Sequence, residues 1–203
     1  MASFVTHPQR NTIRLQLRQN LILQEMSPAQ WDELEPLLVV ADYRKGDLLM
    51  RQGNNEMEQF FVLDGMLKRV VSNAEGREMI LRFAAETEMD HSYAAWRLGT
   101  PVPYSIAAVT KVRTVKLGLP QWVEFLERHT DVKQRFEYEV MKLMSEVMAH
   151  TITLHLLDAP GRLSRFRRKH PELIGRIPKK ELAAYLNLTP ETLSRLKQRS
   201  GDA

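Results

Sequence analysis

The spacing of apolar residues changes along the chain, and the changes divide it into segments. Near the N-terminus Ile13, Leu17 and Leu21 recur every fourth residue, with Arg10, Arg14 and Arg18 on another helical face. Residues 1–26 therefore predict an amphipathic arm packed on the adjoining domain, although an acid-poor, Arg-bearing leader also fits a transit peptide. Ser27-Pro28-Ala29-Gln30 supplies an N-cap, a proline at the first helical position and a capping-box Gln. The helix it opens should bury Trp31, Leu34, Leu37 and Leu38 and end near Val40. From 41 to about 115 the texture is short apolar runs between turns: 48–50, 60–63, 66–71, 78–83, 104–109 and 113–117. Asp64-Gly65 favours positive φ and predicts a hairpin joining 60–63 to 66–71, and the last two runs read as a further pair. So many short strands indicate a small antiparallel roll or barrel. Residues 84–103 interrupt it. Within them 90–98 reads as a short helix, inserted either as one wall of a ligand pocket or as a cap on the barrel end.

After Pro120 a helix anchored by Trp122, Phe125 and Leu126 leads into the longest helical stretch, about 131–157. There Phe136, Val140, Leu143, Val147, His150, Leu154 and Leu157 alternate in steps of four and three, the signature of a coiled-coil seam. Met141, Met144, Met148 and Ile152 form a second stripe. The expectation is that the first stripe meets a second copy of the chain and the second packs back on the barrel; the alternative is one helix buried within a monomer. His150 reads as a polar residue bonded across the dimer, or as a pH switch. Asp158-Ala159-Pro160-Gly161 breaks the helix and is the candidate hinge. Arg165, Arg167, Arg168 and Lys169 follow on a helix ending before Pro171, where they would face phosphate or solvent.

The stretch 177–199 carries the most specific local pattern. Pro178 opens a short helix with Leu182, Ala183 and Leu186 on one face, and Ala183 and Ala184 allow a second helix to cross closely. Asn187 suits a left-handed exit, and Thr189-Pro190 an N-cap and first residue for a second helix. Leu193 and Leu196 face inward, leaving Glu191, Thr192, Ser194, Arg195, Lys197 and Arg199 outward. This is a helix-turn-helix pattern with a face able to meet base edges and phosphates; the alternative is a solvated helix in a bundle. Arg can grip guanine with two hydrogen bonds, and Glu can accept from the cytosine amino group.

Charge sharpens that picture. The net charge is +4, and it is uneven: from 160 to 203 there are 11 Lys or Arg against 4 Asp or Glu. A basic segment on a slightly acidic body suits a nucleic-acid-binding module joined to another domain. The absence of cysteine removes disulfides, thiolate zinc sites and cysteine-held iron–sulfur clusters. Histidines at 7, 91, 129, 150, 155 and 170 are scattered. No metal-ligand cluster, nucleophile–base set or phosphate loop appears, so no catalytic residue is assigned and a non-enzyme is expected. Without an apolar run long enough to span a bilayer, the chain reads as a cytoplasmic protein with no membrane partner.

Roll, long helix, hinge and helix-turn-helix, in that order, resemble the Crp/Fnr family of bacterial transcription regulators across nearly the whole chain. The residues that carry the likeness are Tyr43-Arg44-Lys45-Gly46-Asp47-Leu48-Leu49, Gln52-Gly53, Phe61-Val62-Leu63-Asp64-Gly65, Glu75-Gly76-Arg77-Glu78 and Pro190-Glu191-Thr192-Leu193-Ser194-Arg195. The resemblance implies an α+β fold: an antiparallel, cyclic-nucleotide-binding-like roll over 27–130, a dimerisation helix over 131–158 and a DNA-binding domain over 159–203. It implies a homodimer on double-stranded DNA, with RNA polymerase as a further partner. Glu191, Ser194 and Arg195 would read a TTGAT-like inverted repeat, and Lys179, Lys180, Thr189, Thr192, Lys197 and Arg199 would position it. Two departures stand out. Members that bind cyclic nucleotides carry Gly-Glu and Arg-Ser/Thr-Ala in the phosphate cassette, where this chain has Asp90-His91 and Tyr104-Ser105-Ile106, so cyclic AMP and cyclic GMP are not expected. The pocket of Asp90, His91, Tyr93, Trp96, Tyr104 and Ser105 is left for an apolar or aromatic effector, for haem with His91 or a Met as ligand, or for its own side chains. The second departure is the end of the sequence, where only 200–203 follow the recognition helix and the usual β-wing is missing or shortened. The alternative to a regulator is a ligand sensor whose short C-terminal unit binds protein.

Overall fold

The computed structural model describes residues 1–76 and 78–199, with the side chain of Arg199 outside that description. The fold is α+β. Two antiparallel sheets close a roll, flanked at one end by helices and followed by a long helix and a C-terminal helical unit. The first sheet runs in the order β1 (Ala2–Ser3), β2 (Val39–Tyr43), β9 (Val112–Gly118), β4 (Glu58–Asp64), β7 (Met89–Asp90). The second runs β3 (Leu48–Met50), β8 (Ser105–Ala108), β5 (Leu67–Ser72), β6 (Glu78–Ala84).

The N-terminal arm is built into this body. β1 pairs with β2, and α1 (Arg10–Leu17) buries Ile13 and Leu17, whereas Leu21 stays half in solvent. Arg10 and Arg14 both reach the buried carboxylate of Glu35, which would otherwise be an uncompensated charge in the core. The capping box at Ser27 and Gln30 opens α2 (Pro28–Leu34) as expected. The helix stops earlier than its apolar spacing suggests. Pro36 turns the chain into a 3₁₀ turn at Glu35–Leu37, and Val39 already belongs to a strand.

Two expected strand pairs do not form. Strands β4 and β5 flank Asp64-Gly65 but lie in different sheets: β4 pairs with β9 and β7, β5 with β6 and β8. Likewise β8 and β9 part company across Thr110-Lys111. Gly65 is still required, for another reason. Its φ is +85°, and a Cβ there would sit 2.1 Å from the carbonyl oxygen of Lys111, so the two sheet-crossing corners press against each other. The consecutive strands that do pair as a hairpin are β5 and β6, across the turn that begins at Asn73.

Behind the roll, α3 (Tyr93–Leu98) ends at Gly99, and α4 (Leu119–Arg128) buries Trp122, Phe125 and Leu126. The long helix is α5 (Thr130–Leu156), and its faces are the reverse of the sequence expectation. Phe136 and Leu143 are 0% and 6% exposed within one chain. Val140 packs on the roll core, Val147 lines a cavity against the roll, and His150 stacks on Tyr185; of the expected seam only Leu157 is exposed. The stripe expected to pack inward points out: Met141, Met144, Met148 and Ile152 are 64%, 47%, 65% and 51% exposed, and Tyr138 extends it at 62%. Both stripes fit a helical period. The roll took the one with the aromatic anchor, because Phe136 completes a cluster with His91, Tyr93 and Trp122.

Candidate functional site

The C-terminal unit comprises α6 (Ala159–Lys169), α7 (Lys179–Tyr185) and α8 (Pro190–Arg199). Asp158 caps α6 by accepting from the Gly161 N–H at 2.9 Å. Leu182 and Ala183 are buried, as the small-residue crossing requires, and Leu193 meets them from α8. Asn187 takes φ +52°, the left-handed exit. The Thr189 hydroxyl then accepts from the Thr192 N–H at 3.2 Å and caps α8.

The outer face of α8 carries the residues expected to read bases. Glu191 and Arg195 are exposed and Ser194 is half-buried. Glu191 is held ionised: its own backbone N–H, then the Thr189 hydroxyl, keep it below the usual carboxylate range, with Lys179 and Arg195 adding to the effect. The Ser194 hydroxyl donates to the Pro190 carbonyl at 3.1 Å, so its oxygen remains an acceptor toward the outside. Lys179, Lys180 and Thr189 are exposed around this face, while Thr192 and Lys197 are half-buried beside it. Arg199, expected among the phosphate contacts, lies with its side chain outside the described residues. The face thus offers one anion, hydroxyls and several cations at the protein surface.

The roll interior is built differently. Asp90, His91 and Tyr93 are buried, and Trp96, Tyr104 and Ser105 are half-buried. They surround a residue outside the motifs noted in the sequence. Arg69 is 2% exposed, pairs with Asp90 through its guanidinium, donates to the His91 carbonyl at 3.0 Å, and lies 4.1 Å from the centre of the Tyr104 ring. The Tyr104 hydroxyl donates to the same carbonyl at 2.8 Å. Buried side chains line this space. Burial disfavours the Asp90 anion, but Arg69 and Arg82 outweigh it and hold its carboxyl below the ordinary value. Burial pushes the His91 imidazole down to about 3, and Arg69 pushes the same way. His91 Nδ1 accepts from the Tyr93 N–H at 2.9 Å. The alternation of β5 is the signal that could have found Arg69: Leu67 and Arg69 share the inward face, while Lys68 and Val70 point out.

Outward-facing residues of that sheet hold the C-terminal unit. Met66, Val70, Ile80, Phe83 and Val109 pack with Leu182, Ala183, Leu186 and Tyr185 in a second apolar core. Lys68 Nζ lies 2.8 Å from the Glu181 carboxylate, and Arg176 lies 2.6 Å from Glu86. His150 of α5 stacks flat on Tyr185, with centroids 3.8 Å apart and planes 5° from parallel. A cavity of about 250 Å³ remains where roll, α5, α6 and α7 meet, walled by Phe83, Glu88, Glu146, Phe166, Lys169 and Tyr185. Among the described residues no cluster of three or more His, Cys, Asp or Glu could hold a metal, and no helix is long and apolar enough to cross a membrane.

Residues 40–129 match the family model for the cyclic nucleotide-binding domain. No curated protein matches the chain. Among solved structures, FixK2 from Bradyrhizobium japonicum superposes with a TM-score of 0.70 at 15% identity, over 80% of this chain and 83% of that one. A protein described as a transcriptional regulator of the Crp/Fnr family from Eubacterium rectale gives 0.71 at 15% identity, over 89% and 86%. A CooA variant from Carboxydothermus hydrogenoformans gives 0.68 at 16% identity, over 89% and 83%.

Two measurements test the buried groups. Asp90→Asn leaves Arg69 charged without its partner and should cost about 3–5 kcal/mol in urea unfolding, while Arg69→Met with Asp90→Leu together should recover much of it; additive losses would contradict the pairing. His150 is also shifted downward by the fold. Burial lowers it from 6.5 to about 4, and Lys169, His170 and Arg165 add to this against a hydrogen bond to the Tyr185 backbone. The unfolded chain therefore takes up this proton first, and the contribution is intact above pH 6.5 and lost as pH falls toward 4. His150→Phe, which keeps the stacking, should flatten that part of the stability–pH curve; an unchanged curve would contradict it.

Proposed function

We propose that this chain, which carries a cyclic nucleotide-binding domain in a Crp/Fnr-type fold, is a homodimeric, sequence-specific DNA-binding transcription regulator. The observation that carries the reading is α8: a capped, exposed helix presenting Glu191, Ser194 and Arg195 together, ringed by Lys179, Lys180 and Lys197. In the major groove Arg195 would take guanine with two hydrogen bonds and Glu191 would accept from cytosine, while the lysines and Thr189 neutralise and bond phosphates. A TTGAT-like inverted repeat is the target this set suits. The face for dimerisation is the exposed stripe of Tyr138, Met141, Met148 and Ile152 on α5, which recurs in steps of three, seven and four and is too apolar to be left in water.

The roll takes no cyclic nucleotide in this reading. An anionic phosphate would have to displace Asp90 from Arg69, and the Tyr104 ring already lies against that guanidinium. The roll then acts as a scaffold that positions α5 and α7, and its interior is closed by its own side chains.

A gel-shift assay on a TTGAT inverted repeat at two salt concentrations tests the DNA reading. Arg195→Ala should flatten discrimination at one base pair by about 1–3 kcal/mol. Lys197→Ala should weaken matched and scrambled sites alike and reduce the salt dependence. Two mutants that behave identically on both sites would overturn these roles. For the assembly, Met148→Glu places a charge in the proposed seam and should give a monomer in analytical ultracentrifugation; a wild-type monomer, or a dimer that survives the substitution, would rule this seam out.

A further inference from the structure

Arg162 occupies an odd position. It lies in the first turn of α6, where the helix dipole disfavours a cation, yet its side chain is half-buried and fully engaged. Nε donates to the Leu157 carbonyl at 2.9 Å and Nη2 to the Leu154 carbonyl at 2.8 Å, both at the C-terminal end of α5. Nη1 donates to the Leu186 carbonyl at 3.3 Å and reaches that of Asn187 at 3.5 Å, in the turn between α7 and α8. One guanidinium therefore bonds carbonyls at the C-terminal ends of two helices that belong to different parts of the molecule. Those ends carry the negative poles of their dipoles, so the charge is placed where it is favoured.

The other ties between α7 and the rest of the chain act elsewhere along it. Most are apolar packing on the roll. The Lys68–Glu181 ion pair and the His150 stack on Tyr185 each act at a single point on α7. Arg162 instead holds the last turn of α5 and the turn into α8 from one rigid plane. The hinge itself is short and tight: Asp158 caps α6, and a Cβ on Gly161 would sit 2.9 Å from that carboxylate.

We infer that Arg162 is the positioning residue that fixes the angle between the long helix and the recognition helix, and so sets the separation of the two half-sites a dimer can read. This rests on the proposed regulator reading. On DNA, two recognition helices held in register act as linked modules, and the gain from linkage is lost when their geometry is not fixed. Lysine cannot replace the residue, since an ammonium has no planar fork to span four carbonyls.

The test uses the full chain and a series of TTGAT inverted repeats whose half-site separation is stepped by single base pairs, with an isolated half-site as control. Wild type should show one preferred separation. Arg162→Met and Arg162→Lys should lose roughly 100-fold there, give a flat separation profile, and bind the isolated half-site within about twofold of wild type. A mutant profile that keeps the wild-type preference overturns the inference, as does an equal loss on the isolated half-site, which would make Arg162 a phosphate contact. A second measurement needs no DNA. Because the chain has no cysteine, Glu124→Cys and Gln198→Cys place two spin labels, and labelled protein is diluted with unlabelled. The label–label distance should be narrow in wild type and broad with Arg162→Met; equal widths overturn the inference. Failure of wild type to bind DNA alongside a broadened distance would remove the regulator reading and leave the clamp standing.

Discussion

Burial of the outer face of β5 and β6 under α7 is the contact on which the arrangement of this molecule rests. A roll needs only its inner face to be apolar, and Leu67, Ile106 and Ala108 supply that. This roll also carries Val70, Ile80 and Phe83 on the outside, where Leu182, Ala183 and Tyr185 cover them. Each such side chain taken from water contributes about 1.5–3 kcal/mol, so this covered face helps hold the C-terminal unit against the roll. The same strand serves both sides. Arg69 turns inward to Asp90 while its neighbour Lys68 turns outward to Glu181, so any shift of β5 is felt in the roll interior and under α7 together.

That docking decides what α5 can do. The long helix runs past the roll and beneath the C-terminal unit, giving Phe136 and Leu143 to the core and setting His150 against Tyr185. Half of its circumference is used up within one chain. The methionine-rich half is left exposed to solvent within one chain. The outer face of α8 is thereby anchored to the body through α7, through the stacked His150, and through the guanidinium of Arg162.

Much of this was legible in the residues. The capping box at Ser27 and Gln30, the Thr189 cap, the left-handed Asn187 and the small Ala183 each act over a few residues, and each appears in the structure as its local chemistry requires. The outward set Glu191, Ser194 and Arg195 followed from the same local period. Strand existence was also legible, whereas strand partners were not. Asp64-Gly65 and Thr110-Lys111 both look like hairpin turns, and both carry the chain from one sheet to the other, because a turn fixes φ but not the sheet that the next strand joins.

The sequence by itself therefore determined the elements, their caps and the outward chemistry of α8, since those depend on backbone preference and neighbours within a turn. Only the tertiary structure decided which of two equally periodic stripes on α5 faces inward, that Arg69 fills the roll, and that Arg162 ties two helix ends together. All three depend on partners well beyond the local turn. The two stripes are alike in period and similar in hydrophobicity, and the packing of Phe136 among Tyr93, Trp122 and His91 is what separates them.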